Sequence, residues 1–565
     1  MGVSKEVAVL RGEREDSNAM VLSLPPGIRV AQPRDHGLLK PRNDLFGFVD
    51  SVCDDFLKNS SPANRKKRGQ FFTPKEVASF MAGLFELDTT RKSFRLLDAG
   101  AGIGMLSVAF CHRVSSLKHN VFLHVDAYEN DPEVIPYLRS ILGECKILLE
   151  NSGHTMTFDV TEKDFVVENP NFLKSRTLFG PSQQGVTYDF VISNPPYYKL
   201  NKDSVEAGIM KEFVSGQPNI YAFFMALSLE MLRPDGQMVF ITPRSFCSGL
   251  YFQRFRKWLL RNGQIRNLHV FESRKDVFAK MDVLQENIII RLTPATEAEK
   301  YEKARKVLVS SSRDSAFLDT TTMPVDYEDV LHRKNGDIFI KVPSSKLDIE
   351  VQHVMNSWKS TIEGLGLKAS TGPVVSFRAK EFLDDKPKNI SVPLLWMHNL
   401  KGFDVVWPVD KRNKPGYISA KESSKQLLLS VKNYVLVKRF TSKEQNRRLY
   451  AAVMQKESFD YEQIGLENHL NYIYKANGEL SLDEAFGLAA LLNTSLVDTF
   501  FRMMNGNTQV NVIDIHNLPF PPIEKIREVG KLVRQKKLCI GSTLDKEVLG
   551  VLGIDHKIFK TLNRE

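Results

Sequence analysis

Asp189-Phe190-Val191-Ile192-Ser193-Asn194-Pro195-Pro196-Tyr197 decides how the rest of the chain is read. Phe190, Val191 and Ile192 are aromatic or β-branched, the composition of a buried strand. Pro195 and Pro196 stop that strand, because proline cannot donate to a sheet ladder. Asn194 therefore falls at a strand's carboxyl end, where open α/β sheets gather their ligands. The Asn194 amide oxygen and the Pro195 carbonyl can both accept hydrogen bonds from one planar exocyclic amine. Tyr197 can stack on the ring that carries the amine. Such a site suits a flat amino-bearing molecule, for example a nucleobase lifted out of its stack. A strand ending in a proline-rich turn, with no ligand, is the plainer reading of the same residues.

Upstream, a short apolar strand from Phe94 runs into Asp98-Ala99-Gly100-Ala101-Gly102-Ile103-Gly104 and predicts a helix over Met105 to Val114. Glycines let the backbone turn tightly and approach a ligand closely. A dinucleotide loop reads Gly-x-Gly-x-x-Gly. Here the third glycine comes one residue early and an aspartate ends the strand. Both features fit S-adenosylmethionine better, a cofactor with no pyrophosphate to place. Asp98, Gly100, Gly102 and Gly104 are thus candidate cofactor residues. The next strand, around Val121 to Val125, leads to Glu129. A carboxylate there can accept from both ribose hydroxyls; Asp126 and Asp131 are the alternatives. After a helix over Val134 to Leu142, Asp164 can accept from the cofactor's adenine amine, with Phe165 packed beside it. Asp159, in the strand-like Met156 to Val160, competes for that role.

Leu45 to Leu57 carries apolar residues at helical spacing, and Thr73-Pro74 with Glu76 reads as the N-cap and first turn of a helix to Leu87. The basic run Arg65-Lys66-Lys67-Arg68 suits a phosphate backbone, or is a solvated loop. Beyond Tyr197 the pattern predicts a helix over Asn219 to Met231, a turn at Arg233-Pro234-Asp235-Gly236, and a strand over Gln237 to Pro243. A helix over Phe252 to Leu260 and closing strands near Val270-Phe271 and Glu286 to Leu292 follow. From Thr293 the elements become irregular, apart from helices over Asp483 to Leu492 and Ser495 to Met504.

A chain of 565 residues should hold two or more domains. The net charge of +10 and pI near 9.1 are consistent with a polyanionic partner. The five cysteines are scattered without metal-ligand or redox spacing, which points to reduced thiols, a cytoplasmic setting and no metal site. There is no membrane-length apolar run, and the charged N-terminus lacks a signal-peptide core.

The ordered set Phe72-Thr73-Pro74, Asp98 to Gly104 and Asn194 to Tyr197, followed by a long C-terminal region, resembles the gamma-class DNA adenine-N6 methyltransferases of type II restriction–modification systems. The phrases Arg439-Phe440-Thr441-Ser442-Lys443-Glu444 and Gly506-Asn507-Thr508-Gln509-Val510-Asn511 resemble recurring ones in that family's recognition domains. The resemblance implies an α/β fold: a Rossmann-like S-adenosylmethionine-dependent domain with a mixed, mainly parallel sheet, plus a C-terminal α+β target-recognition domain. Residues 1–40 would be a mobile arm, 41–295 the catalytic domain, 296–530 the recognition domain and 531–565 a helical tail. Thr73 and the glycine loop would hold the methionine part of the cofactor, Glu129 its ribose, and Asp164 with Phe165 its adenine. Asn194, Pro195 and Pro196 would form the catalytic turn, and Tyr197 and Phe278 would sandwich the flipped base. Double-stranded DNA would be gripped through Arg65 to Arg68 and read by residues such as Lys438, Arg439, Lys443, Asn507, Gln509 and Asn511. A monomer paired functionally with a cognate restriction endonuclease is expected. Rival readings are an N-methyltransferase of RNA or of a protein glutamine, a fused restriction–methylation enzyme, and a non-catalytic DNA-binding module.

Overall fold

In the computed structural model nine strands form one sheet: β1 (Ser93–Ala99), β2 (Phe122–Tyr128), β3 (Thr155–Thr161), β4 (Tyr188–Ser193), β5 (Leu232–Pro243), β6 (Gly263–Phe271), β7 (Asn287–Pro294), β8 (Lys306–Ser312) and β9 (Thr321–Asp326). Their spatial order is β3-β2-β1-β4-β5-β7-β6-β8-β9. The first five strands are mutually parallel. β7 then runs antiparallel between β5 and β6, so the sheet is mixed and mainly parallel, as expected. β4 is buried at all positions, which suits a parallel strand covered on both faces. The structure describes residues 44–61, 72–174, 186–201, 203–210, 219–273, 286–296, 305–334, 336–441, 445–506 and 508–563. The expected mobile arm, Arg65 to Arg68, Phe278, Lys443 and Asn507 lie outside the described residues.

Helices α1 (Leu45–Asn59), α2 (Lys75–Gly83), α3 (Met105–Ser115), α4 (Ile135–Asn151), α5 (Ile220–Met231) and α6 (Gln253–Asn262) surround the sheet. The expected apolar stripe of α5 is wider than the spacing implied. Every residue but Glu230 is buried, because α5 lies on β5 and β7 beneath the short helix Phe165–Glu168 and α6. Two local expectations are corrected. Arg233 to Gly236 is not a free turn: β5 begins at Leu232, pairs with Tyr188, and resumes its register at Gln237 opposite Phe190, absorbing the segment as a bulge. Gly236 is needed there, since a Cβ would lie 2.9 Å from the Tyr188 carbonyl oxygen. The cap of α2 is Pro74, and Thr73 does not cap it; its hydroxyl is engaged elsewhere.

The first hydrophobic core runs from Leu45 to Val342, and β8 and β9 extend the sheet past Leu292. Beyond it lie a six-stranded and a five-stranded sheet built from very short strands. α7 (Leu482–Leu492) packs on the six-stranded sheet, and α8 (Ser495–Met504) and α9 (Ile523–Lys536) pack on α7. Val533, Leu544, Val548 and Leu549, from the expected tail, belong to the same second core as α7 and α8. Among the described residues no helix is long and apolar enough to cross a membrane.

Candidate active site

Strand order reverses between β1 and β4, and the crevice at their carboxyl ends is where this topology places ligands. β1 feeds the glycine loop and β4 feeds Asn194. Ser193 Oγ donates to the Ala99 carbonyl at 2.6 Å, fastening the two strand ends together. Gly100, Gly102 and Gly104 have φ of +75°, +55° and +95°, the left-handed region open chiefly to glycine. A Cβ on Gly100 would meet Phe224 at 3.4 Å and Pro196 at 3.9 Å; one on Gly102 would meet Phe72 at 3.4 Å. The three separate motifs therefore converge on one loop.

Glu129, at the end of β2, is buried and reaches back to that loop. Its Oε2 accepts from Gly102 N at 2.9 Å and its Oε1 from Asp131 N at 2.8 Å. Burial pushes its carboxyl above the usual carboxylate range, opposed by those backbone donors. The two alternatives are otherwise employed. Asp126 pairs with Arg95 at 2.8 Å, and Asp131 accepts from Glu133 N at 3.1 Å. Asp126 also belongs, with His124 and Asp159, to a group whose ligand atoms lie within 4.8 Å of one another. Asp164 caps the short helix Phe165–Glu168, its Oδ1 accepting from Val166 N at 2.9 Å and Val167 N at 3.0 Å. Phe165 is buried between Tyr128, at 5.1 Å, and Phe224, at 4.9 Å. Asp159 is 77% exposed on β3.

Asp98 is fully buried at the end of β1. Ser107 Oγ of α3 donates to its Oδ2 at 2.7 Å, while Oδ1 has no hydrogen-bond partner among the described residues. Burial, opposed by the Ser107 bonds and reinforced by Glu129, pushes its carboxyl up to about 7. Ser107 escaped the sequence reading; its signal was a lone hydroxyl inside the apolar face of α3. Phe224 of α5 lies beside both the glycine loop and Phe165.

The Asn194 amide is held at both ends. Its Nδ2 donates to Thr73 Oγ1 at 3.1 Å, and its Oδ1 accepts from the Tyr197 hydroxyl at 2.5 Å. That hydroxyl also lies 2.9 Å from the Ile241 carbonyl oxygen at the end of β5. The Tyr197 ring is buried, edge-on to Tyr221 at 6.3 Å, and burial pushes its hydroxyl far above the usual phenol range.

The two C-terminal phrases come together although some 70 residues separate them. Phe440 and Gln509 form an antiparallel bridge, and Val510 N donates to the Arg439 carbonyl at 2.7 Å. Arg439 is committed within the fold, to Gln509 Oε1 at 3.2 Å and the Asn468 carbonyl at 3.1 Å. Asn511 precedes the helix Val512–Asn517, its N–H donating to Asp514 at 2.7 Å. Lys438 lies over the Tyr450 ring at 3.8 Å.

Comparison with known proteins gives this geometry its family. Type II methyltransferase M.PstI of Providencia stuartii is 32% identical over 86% of this chain and 93% of its own length. Type II methyltransferase M.BsuBI of Bacillus subtilis is 35% identical over 88% of this chain and 95% of its own. The chain belongs to the type II restriction–modification methyltransferases. A family model described as Eco57I restriction-modification methylase matches residues 114–278. M.AccI of Acinetobacter calcoaceticus is 27% identical over a shorter span, 40% of this chain and 38% of its own.

S-adenosylmethionine is the methyl donor of this type II methyltransferase. The crevice fits it. The left-handed glycines carry no side chain toward a ligand, and the carboxylates of Glu129, Asp164 and Asp98 can offer acceptors to a donor-rich cofactor.

Proposed function

We infer that this methyltransferase acts on DNA at the N6 of adenine, at a specific sequence in a duplex, with the target base flipped out. In this reading residues 41–295 carry the chemistry, 296–530 the sequence readout and 531–565 a helical tail. The enzyme works as a monomer and protects its sites from a cognate restriction endonuclease. The observation that carries the reading is the Asn194 amide, oriented from both sides at the end of β4 and next to the glycine loop.

The adenine N6 lone pair is delocalised into the ring and is a poor nucleophile. An amide oxygen has two lone pairs, so Asn194 Oδ1 can serve the Tyr197 hydroxyl with one and an N6 hydrogen with the second. That lone pair and the Pro195 carbonyl accept the two N6 hydrogens and draw the amine out of conjugation. The bound cofactor supplies a methyl group already activated on a sulfonium. The chain's contribution is alignment and preorganised acceptors. Loss of one N6 proton after transfer restores a neutral amine. Tyr197 covers one face of the base, and Phe278 is the proposed cover on the other.

The test is to incubate the protein with plasmid DNA and radiolabelled S-adenosylmethionine, identify the labelled nucleoside in one portion and sequence the rest for modified bases. Label in N6-methyladenine at one sequence is expected. Label in cytosine, or only in added RNA or release-factor protein, would overturn the assignment.

A further inference from the structure

A cleft of about 600 Å³ opens in the C-terminal half, well away in sequence from the glycine loop. Lys401, Lys411, Lys414, Lys438 and Arg447 line it, with Glu467 as the acidic member of the lining. Arg447 is turned toward Asp545, 3.5 Å away, but among the described residues no acid pairs with any of the four lysines. Two of the lysines are steadied on aromatic faces: Lys414 lies 4.2 Å from the Trp396 ring and Lys438 lies 3.8 Å from Tyr450. Glu467 is fully buried, and its carboxylate accepts from His469 N at 2.9 Å and from His469 Nδ1 at 2.7 Å.

That last contact fixes the His469 ring. With Nδ1–H held by the carboxylate, Nε2 sits on the opposite edge of a side chain that is 36% exposed. The ring packs on Phe440 at 4.6 Å, and the turn carrying it is braced from below. Arg439 N donates to the His469 carbonyl at 2.8 Å, and Arg439 Nη1 donates to that of Asn468 at 3.1 Å. An imidazole edge locked in direction and set among cations matches what base readout beside a phosphate backbone requires.

We propose that the wall of this basic cleft abuts the DNA duplex and that His469, clamped by Glu467, reads the edge of one base pair of the recognition sequence, with Lys411 and Lys414 gripping phosphates. This rests on the reading that the chain methylates duplex DNA. Arg439, singled out in the sequence for DNA contact, acts here as the brace of the reading residue.

The experiment first maps the methylated sequence with the unaltered enzyme. It then measures transfer to a panel of duplexes, each changed at one base pair, and DNA affinity against salt. His469→Ala and the size-conserving His469→Gln should lose ~10-fold or more of the discrimination at one base pair and keep it at the others. Lys411→Ala/Lys414→Ala should weaken cognate and altered duplexes alike and make the plot of log affinity against log salt shallower by ~1–2. Both His469 variants keeping wild-type discrimination at all positions, or an unchanged salt slope, would overturn the assignment alone. No transfer to any duplex by the unaltered enzyme would overturn the function beneath it.

Discussion

Asn194 has both ends of its amide held, and the partner that matters for rate is the Tyr197 hydroxyl. Tyr197→Phe keeps the ring and removes that donor. A net hydrogen bond of about 1 kcal/mol corresponds to a ~5- to 10-fold slower transfer step, with DNA affinity unchanged, in single-turnover assays. A rate equal to wild type would mean that Tyr197 serves only as a ring. Asp98 makes a different prediction, in stability. Its native carboxyl is raised from 3.8 to about 7, chiefly by burial, so between those values the folded protein keeps a proton that the unfolded chain releases. Wild-type stability due to Asp98 therefore falls as pH rises from about 4 to 7 and is level above. Asp98→Asn cannot ionise, so its urea midpoint should gain on wild type between pH 5 and pH 8; a constant difference would contradict the burial argument. Asn194 and Asp98 were legible in the sequence because both end apolar strands. The Tyr197–Ile241 and Asp98–Ser107 contacts were not, since they depend on how the neighbouring elements pack.

At the scale of elements, the glycine loop is the part whose geometry was most fully written in the sequence. Its three glycines adopt left-handed conformations, in keeping with the tight turn expected there, and a Cβ on Gly100 would meet Phe224 and Pro196. Gly100→Ala should cost about 1–2 kcal/mol in backbone strain and raise the cofactor's dissociation constant ~10-fold or more, read by isothermal titration. Unchanged cofactor affinity would remove the loop from the binding site. Where local reading failed, longer-range pairing had won. Arg233 to Gly236 has turn chemistry, yet Leu232 finds Tyr188 across the sheet and draws the segment into β5. Thr73 has the chemistry of a cap, yet its hydroxyl serves Asn194, more than a hundred residues away. The short strands of the C-terminal half, such as Leu400–Lys401 and Asp404–Val405, carry too few residues to show a period of two.

At the scale of the whole molecule, one arginine joins the catalytic sheet to the C-terminal helices. Arg244, just past β5, pairs with Glu286 at 2.6 Å and donates to the carbonyls of Arg502 and Met503 at the end of α8. Both partners of the ion pair are buried. Arg244→Ala removes one side of a buried ion pair and the donors to the α8 carbonyls, and should destabilise the protein by about 3–5 kcal/mol. Calorimetry should show a lowered first transition; an unaltered melting profile would make the contact incidental. Nothing local foretells that contact, which links residues some 260 apart in the chain. The motif order and the relatives, by contrast, both point to a DNA-modifying transferase. The most direct test of that account compares wild type with Asn194→Ala on one duplex bearing the mapped site, following N6-methyladenine by mass spectrometry and DNA retention by filter binding. The account predicts a loss of at least ~100-fold in methyl transfer with DNA binding intact. Near-normal N6-methyladenine formation by Asn194→Ala would contradict it.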